Sequence, residues 1–302
     1  MGNIYLAHDL RLEGRLCAVK EVAHDMSLDP DLLKEARDQF FREATVLARL
    51  DHPNLPKVSD FFSIDNLDYL VMDYVPGKDL RTLIMEARQE SRFLPEDDVL
   101  NWANQICNAL SYLHSQESPV LHRDVKPSNL KLTPSGLLKL VDFGLVKLLA
   151  KGEVTITVLQ GQGTAVYTPL EQFGGDMGHT DIRSDIFSFG ATLYHLLTNK
   201  APADARERFL DPASLELPRQ INQEISLRTE RAILYAMNLH PDERPADAEE
   251  FRKVLLGNQP IILQNVRRSG TIWEVFRTGH DLILVVFTSV LMLLSLVLTM
   301  MH

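Results

Sequence analysis

Cysteine is scarce in this chain of 302 residues, which contains only Cys17 and Cys107. The two thiols lie far apart, in apolar segments that are typical of a strand and a helix. A stabilising disulfide framework is therefore not expected. Two buried thiols in a reducing, cytosolic setting fit this pattern.

Basic residues are also in the minority, since 31 Lys and Arg face 41 Asp and Glu and the net charge is −10. A chain of this charge has no domain-wide positive surface with which to neutralise phosphates, so a general nucleic-acid binder is not expected. Residues 1 to 16 carry charges throughout and lack an apolar core, which predicts no secretory signal. No internal repeat and no low-complexity tract is present.

The hydrophobic content, by contrast, is 45%, which is enough for a sizeable core. Alternating and β-branched residues in the first quarter of the chain predict strands, and Pro76-Gly77 ends this pattern. The predicted strands are Ile4–Ala7, Leu16–Val22, Lys57–Ile64 and Tyr69–Val75, with one helix over Pro30–Leu50.

After Gly77 the apolar residues recur at helical spacing. A small β-rich lobe followed by a larger helical lobe, joined near Tyr74 to Gly77, is therefore predicted. The predicted helices are Leu80–Gln89, Pro95–Ser115, Asp185–Thr198, Ser226–Met237 and Ala246–Leu255.

The stretch from His122 to Asn129 reads HRDVKPSN, and Asp142-Phe143-Gly144 begins thirteen positions after its last residue. It combines a carboxylate, a cation and an amide within a few residues. These groups suit phosphoryl transfer, in which a hydroxyl must be aligned with the γ-phosphate of ATP and the charge of the transferring group must be neutralised. With the strings HRD-x-K-x-x-N and DFG, the chain resembles the protein kinases, and specifically their bacterial Ser/Thr branch.

The resemblance implies an α+β, two-lobed protein kinase fold and a role for each polar residue of these motifs. Asp124 would orient the substrate hydroxyl and accept its proton, and Lys126 would lie beside the γ-phosphate. Asn129 and Asp142 would hold Mg²⁺, or alternatively Mn²⁺, through oxygen ligands.

The small lobe would bind the nucleotide. Within Cys17-Ala18-Val19-Lys20, the lysine resembles the one that holds the α- and β-phosphates of ATP, and Glu43 is its expected partner, with Glu35 as the nearest rival. Ala18 would also line the nucleotide pocket. Met72 would guard the back of that pocket, and the backbone of Asp73 to Val75 would meet adenine.

The start of the sequence departs from the family, whose members carry a strand and a glycine-rich loop, G-x-G-x-x-G, over the ATP phosphates. Residues 1 to 7 read MGNIYLA, which resembles only the last glycine of that loop and the strand that follows. One interpretation is a start placed about a dozen or more residues too late. The other is a short protein that binds ATP weakly.

The segment between Asp142 and Glu171 resembles the activation segment of the family. Thr155 and Thr157 are the predicted sites of autophosphorylation, because a phosphate there would pair with Arg123. The alternative is that residues 154 to 158, VTITV, are only a β-branched strand.

Four other residues match positions that hold the family fold together. Thr164 would touch the catalytic aspartate and lysine, and Asp185 would brace the catalytic loop. Glu171 and Arg244 would form a buried ion pair.

The acceptor is expected to be an aliphatic hydroxyl, because Lys126 and Thr164 together follow the Ser/Thr pattern. Family members that prefer basic substrates often carry three acids around the substrate groove. Here only Asp79 matches, while Ser128 and His195 occupy the other two places, which argues against a strong preference for arginine. Protein substrates bearing Ser or Thr are the expected partners.

The end of the sequence contains twenty residues without a charge, from Leu282 to Met301. This length predicts a transmembrane helix, with Arg267, Arg268, Arg277 and Trp273 on its cytoplasmic side. A single-pass protein of the cell membrane with a cytoplasmic kinase is expected. A homodimer through this span remains open, although no Gly-x-x-x-Gly pattern supports it. The predicted domains are residues 1–75 (small lobe), 76–256 (large lobe), 257–281 (linker) and 282–301 (span).

Two alternatives to an active kinase are weighed. A pseudokinase-like scaffold would bind partners at the membrane, with weak or no ATP binding. A small-molecule phosphotransferase would share the fold, but the Gly163-Thr164 to Glu171 segment resembles a peptide-docking platform.

Overall fold

The computed structural model describes residues 3–23, 29–64, 67–142, 165–173 and 180–257. All of these ranges lie within the first of the chain's two units, Met1–Ile261. The predicted span and linker fall outside them, as do Thr155, Thr157, Thr164 and most of the activation segment.

The small lobe is an antiparallel sheet of four strands in the order β1-β2-β4-β3. Its strands are β1 (Ile4–His8), β2 (Leu16–Ala23), β3 (Val58–Ile64) and β4 (Leu67–Asp73). Each was predicted to within two residues at either end. The buried side chains of β4 alternate along the strand, which is the pattern of a sheet with one face against a core.

One long helix, α1 (Pro30–Arg49), packs on β3 and β4. Its N-cap is Asp29, whose carboxylate accepts from the backbone N–H of Asp31. Phe40, Ala44 and Leu47 are buried on one face of the helix, as their spacing of four and three residues predicts.

Gly77 lies in the connection between the lobes and has a φ of 108°. A Cβ at this position would collide with the carbonyl oxygen of Leu132. The chain therefore passes so close to the backbone of Leu132 that only glycine fits at this position.

The large lobe is built around two buried helices, α3 (Glu96–His114) and α4 (Ile182–Thr198). The other helices are α2 (Leu80–Gln89), α5 (Ala205–Leu210), α6 (Pro218–Ile221), α7 (Leu227–Ala236) and α8 (Ala248–Leu256). Helix α4 is buried nearly all round, as its continuous run of apolar and small residues predicts.

A three-stranded sheet lies beside α2 and α3, with the order β5 (Lys78–Asp79), β6 (Leu130–Leu132) and β7 (Leu138–Leu140). These strands have two or three residues each and were not predicted. Because β6 begins directly after Asn129, this sheet fixes the end of the HRDVKPSN stretch.

Helix α4 begins at Ile182, three residues before the predicted start at Asp185. The N-cap is Asp181, whose carboxylate accepts from the backbone N–H of Arg183. Asp185 lies in the first turn of the helix, and its carboxylate accepts from the backbone N–H groups of His122 and Arg123.

Among the described residues, no helix has both the length and the apolar character needed to cross a bilayer. The stretch predicted to do so, residues 282–301, lies outside them.

Candidate active site

Asp124, Lys126 and Asn129 converge at one point of the loop that precedes β6. The side-chain amide of Asn129 donates to the backbone carbonyl of Asp124 at 2.8 Å and to its Oδ2 at 2.9 Å. Lys126 Nζ lies 2.7 Å from the same Oδ2. One carboxylate oxygen is thus held by an amide and a cation, which is a charge-assisted arrangement that fixes the side chain.

The carboxylate of Asp185 binds the backbone of this loop. This fully buried carboxylate accepts from the backbone N–H of His122 at 2.9 Å and from that of Arg123 at 2.7 Å. These bonds support an uncommon conformation, since Arg123 has a φ of 61°.

His114, at the end of α3, lies with its Nε2 2.9 Å from Oδ2 of Asp185. Burial by itself raises the pKa of Asp185, but the His114 hydrogen bond and the nearby imidazoles outweigh it and leave the pKa below its ordinary value. The carboxylate is therefore charged at neutral pH. Sequence reasoning missed His114, because a histidine at a helix end carries no signal of a partner 71 residues away.

Thr192 of α4 was also missed. Its buried hydroxyl lies 3.0 Å from the carbonyl oxygen of Val125 and 2.9 Å from that of Ser188, one turn earlier in the same helix. Helix α4 is therefore hydrogen-bonded to the loop at two places, through Asp185 and through Thr192.

Lys20 and Asp142 form an ion pair, with Nζ 2.5 Å from Oδ1. Burial opposes the ionisation of Asp142, but the charge and hydrogen bond of Lys20 prevail and lower its pKa. Asp142 has a φ of 59°, a second uncommon conformation at this site. The structure thus brings together the predicted phosphate-binding lysine and a predicted metal ligand.

Glu43 is buried on α1, whereas its rival Glu35 is exposed. A carboxylate is rarely buried without a partner, so burial favours Glu43 as the functional residue. Its Oε1 accepts from Nε2 of Gln39 at 2.7 Å, and its charge acts on the Arg123 guanidinium. Its pairing with Lys20 stays a prediction.

The residues predicted to surround adenine lie where β2 and β4 meet the connection between the lobes. Ala18 is directly opposite Met72 in the sheet, and Met72 and Val75 are buried. The carboxylate of Asp73 is engaged by Arg15 at 3.1 Å, and its backbone N–H donates to the carbonyl oxygen of Lys57 at 3.0 Å.

Asn129 and Asp142 are the predicted metal ligands, and the backbone N–H of Val141 donates to the carbonyl oxygen of Asn129 at 2.8 Å. This bond brings the backbone of Asn129 next to the residue that precedes Asp142. No group of three or more His, Cys, Asp or Glu side chains suited to a metal is present among the described residues. An amide and one carboxylate fit Mg²⁺, which keeps several waters and takes oxygens from a substrate phosphate.

Glu171 and Arg244 form a buried, bidentate pair, with distances of 2.6 and 3.0 Å. Ser184 Oγ also donates to Glu171 at 2.8 Å, and the guanidinium lies 4.9 Å from the ring centre of Phe187. The pair ties the end of the activation segment to α4 and to the turn before α8.

Thr155, Thr157 and Thr164 lie outside the described residues, so their predicted roles stay predictions.

A family described as "Protein kinase domain" matches residues 1–260 of the chain. The chain belongs to the protein kinase family. A probable serine/threonine-protein kinase of Streptomyces coelicolor is 36% identical over 276 residues, which cover 86% of this chain and 39% of that protein. A protein of Myxococcus xanthus named tyrosine-protein kinase MasK is 30% identical and is aligned with 93% of this chain and 44% of its own length.

Among solved structures, a point mutant of the PknI kinase domain from Mycobacterium tuberculosis superposes with a TM-score of 0.64 at 28% identity. The superposition covers 84% of this chain and 89% of that domain. The predicted two-lobed kinase fold is therefore confirmed. The chain itself spans less than half the length of the curated relatives it matches.

Proposed function

We propose that this chain is a Ser/Thr protein kinase that transfers the γ-phosphate of ATP to hydroxyl groups of proteins. The observation that carries the proposal is the Asp124 carboxylate, which Asn129 and Lys126 hold in one orientation on a loop fixed by Asp185. Kinase catalysis depends mainly on such positioning and on electrostatic stabilisation.

Each group has a role in this proposal. Asp124 orients the acceptor hydroxyl and takes its proton, while the ammonium of Lys126 stabilises charge on the transferring group. Lys20 holds the α- and β-phosphates. Mg²⁺, when bound by Asn129 and Asp142, neutralises charge on the β- and γ-phosphates.

Transfer of labelled phosphate from ATP to a generic protein acceptor tests the proposal. Activity should fall by at least about a thousandfold in Asp124→Asn, which keeps the shape of the side chain but removes the base. Phosphate on serine and threonine is expected, and phosphate on tyrosine alone would favour the activity in the name of the Myxococcus relative. Binding of partners without any transfer would favour the scaffold alternative.

The same proposal includes autophosphorylation at Thr155 or Thr157. Its support is Arg123, whose largely buried Nε has no hydrogen-bond partner in the described part of the chain. Burial lowers the pKa of this guanidinium, although Asp185 and Glu43 oppose the effect. A phosphate would supply the missing acceptor. Phosphopeptide mapping of active protein that finds both threonines unmodified would reject this part.

Attachment to the cell membrane through residues 282–301, with the kinase in the cytoplasm, is also part of the proposal. It rests on the length and apolar character of that stretch.

A further inference from the structure

Helix α2 carries two arginines, Arg81 and Arg88. Both are exposed, and neither has an ion pair or a hydrogen bond among the described residues. Their neighbours differ, since Lys78 is paired with Glu86 at 2.6 Å and Arg92 with Glu90 at 2.5 Å.

The two guanidiniums lie on one face of α2, because seven residues make almost two full turns and separate them by about 10 Å along the axis. Helix α2 packs against the short 3₁₀ helix Pro127–Asn129, which completes the HRDVKPSN stretch. Helix α2 therefore carries the two arginines beside the loop that contains Asp124.

Tyr167 and His195 form the opposite side of the same area. The Tyr167 hydroxyl and Nδ1 of His195 are hydrogen-bonded at 2.7 Å, and their rings are stacked. Tyr167 belongs to the activation segment, and His195 follows Thr192, which bonds to Val125, by one turn of α4. This pair therefore lies close to the acceptor site.

The end of α2 lies beside the end of α4, since the side-chain amide of Asn199 donates to the backbone carbonyl of Arg92 at 2.8 Å. Burial, together with the charges of Arg88 and Arg81, lowers the pKa of His195 to about 4. Burial raises the pKa of Tyr167 to about 12, with Arg81 opposing. At pH 7 the imidazole and the phenol are thus both neutral, and the net charge of this area comes from the arginines.

Asp79 precedes Arg81 by two residues, and its Oδ1 is occupied. It accepts from the backbone N–H of Thr82 at 2.8 Å and lies 3.1 Å from the Thr82 hydroxyl, as the N-cap of α2. A capping carboxylate is already stabilised by the helix dipole and these donors, and it is a weak attractor for a substrate cation.

We propose that Arg81 and Arg88, backed by the Tyr167–His195 pair, bind an acidic side chain of the protein substrate close to the phosphorylated hydroxyl. The proposal rests on the kinase function proposed above and adds a substrate preference to it. A guanidinium binds a carboxylate through two parallel hydrogen bonds, and neither arginine has to give up an internal partner to do so.

A positional peptide scan with the full chain tests this preference. Each peptide carries one serine in an alanine background, with Glu, Arg or Ala placed in turn at four positions on either side. We expect Glu at one or two positions to lower KM by about tenfold relative to Ala, since a charge-assisted hydrogen bond is stronger than a neutral one but is partly screened at the surface. The effect on kcat should be small, because the contact is made in both the ground state and the transition state.

Variants connect the preference to the arginines. Arg81→Gln/Arg88→Gln should abolish the discrimination between Glu and Ala, and Arg81→Glu/Arg88→Glu should reverse it toward Arg. The matched control is Arg231→Glu on α7, an exposed arginine that also has no ion pair in the described ranges, and it should keep the native preference.

The outcomes separate this inference from the function on which it rests. Transfer without a Glu preference, or a preference that survives in both double variants, overturns the inference alone. Absence of transfer to every peptide and to a generic acceptor overturns the proposed function, and this inference with it.

Discussion

Asp185 is the residue on which the geometry of the candidate site depends most. Its carboxylate satisfies two backbone N–H groups of the catalytic loop and the imidazole of His114, all of which it meets without exposure to water. A buried charge in this position is costly to lose, because its donors would be left unsatisfied.

We predict that Asp185→Asn lowers both the stability and kcat. The free energy of unfolding at pH 7 should fall by about 3 kcal/mol, because an amide offers one acceptor and turns a donor toward other donors. Denaturant titration measures the stability, and peptide phosphorylation measures kcat.

The stability difference between the native chain and Asp185→Asn should depend on pH. Because the folded pKa of Asp185 is lowered, its contribution is fully present above the unfolded value of about 3.9 and is lost as the pH falls through the folded pKa. The stability gap between the two proteins should therefore narrow below about pH 4. Asp181→Asn is the control, since asparagine caps a helix as well as aspartate does and the change otherwise removes only a partly exposed ion pair with Arg183. An equal loss in both variants would contradict the role given to Asp185.

We predict that the contributions of Glu171 and Arg244 to the free energy of unfolding are coupled and do not simply add. Arg244→Met should cost about 4 kcal/mol because it leaves the Glu171 carboxylate buried without its cation. Adding Glu171→Leu should restore part of that loss. It should not restore all of it, since Arg244 also donates to the carbonyl oxygens of Asn238 and Leu239.

A double-mutant cycle by chemical denaturation measures this coupling. If the two single losses simply add in the double variant, the pair is not a unit.

At the scale of elements, α4 links the candidate site to the core of the large lobe. We predict that Thr192→Val, which removes the contact to Val125, lowers kcat several-fold and reduces stability by about 1 to 2 kcal/mol. The reason is that Val125 separates Asp124 from Lys126, so a loosened carbonyl there lets both side chains move.

Thr198→Val on the same helix is the matched control. Its buried hydroxyl lies 2.7 Å from the carbonyl oxygen of Tyr194, within the helix, and 2.9 Å from that of Lys200, away from the catalytic loop. Stability should fall by a similar amount while kcat stays close to the native value. Equal effects of the two variants on kcat would show that the Thr192 contact has no special place in catalysis.

Sequence patterns located the long elements well and the short ones poorly. The strands β1 to β4 and the helix α1 contain enough residues for their hydrophobic periodicity to be recognised in the sequence. The strands β5 to β7 have two or three residues each, too few for any period, and only the tertiary contacts near Gly77 and Asn129 define them. The start of α4 was placed late because Asp185 looks like an N-cap, whereas Asp181 caps the helix.

The candidate site shows the same division. Asp124, Lys126, Asn129 and Asp142 could be predicted because they lie in short motifs whose spacing has a chemical reason. Partners brought together only by the fold could not be predicted, as in His114 with Asp185 and Tyr167 with His195. Nothing in their local sequence distinguishes them from other helix or loop residues.

At the scale of the whole molecule, the proposed attachment to the membrane depends on the uncharged stretch 282–301. We predict that the full chain sediments with membranes and stays there at alkaline pH, as expected of a spanning helix. Leu291 and Leu294 lie near the middle of the stretch. Replacing either one with arginine should raise the free energy of membrane insertion by about 3 kcal/mol. The variant Leu291→Arg/Leu294→Arg should then appear in the soluble or alkali-extracted fraction.

The control for this experiment must add the same charge outside the span. Asn258→Arg/Gln259→Arg does so in the predicted linker and should remain in the membrane fraction. Both variants should phosphorylate a soluble peptide as the native chain does, because the substitutions lie beyond the family match at residues 1–260 or at its last few positions. If the native chain is fully extracted at alkaline pH, or if the span variant stays as firmly bound as the control, residues 282–301 do not anchor the kinase.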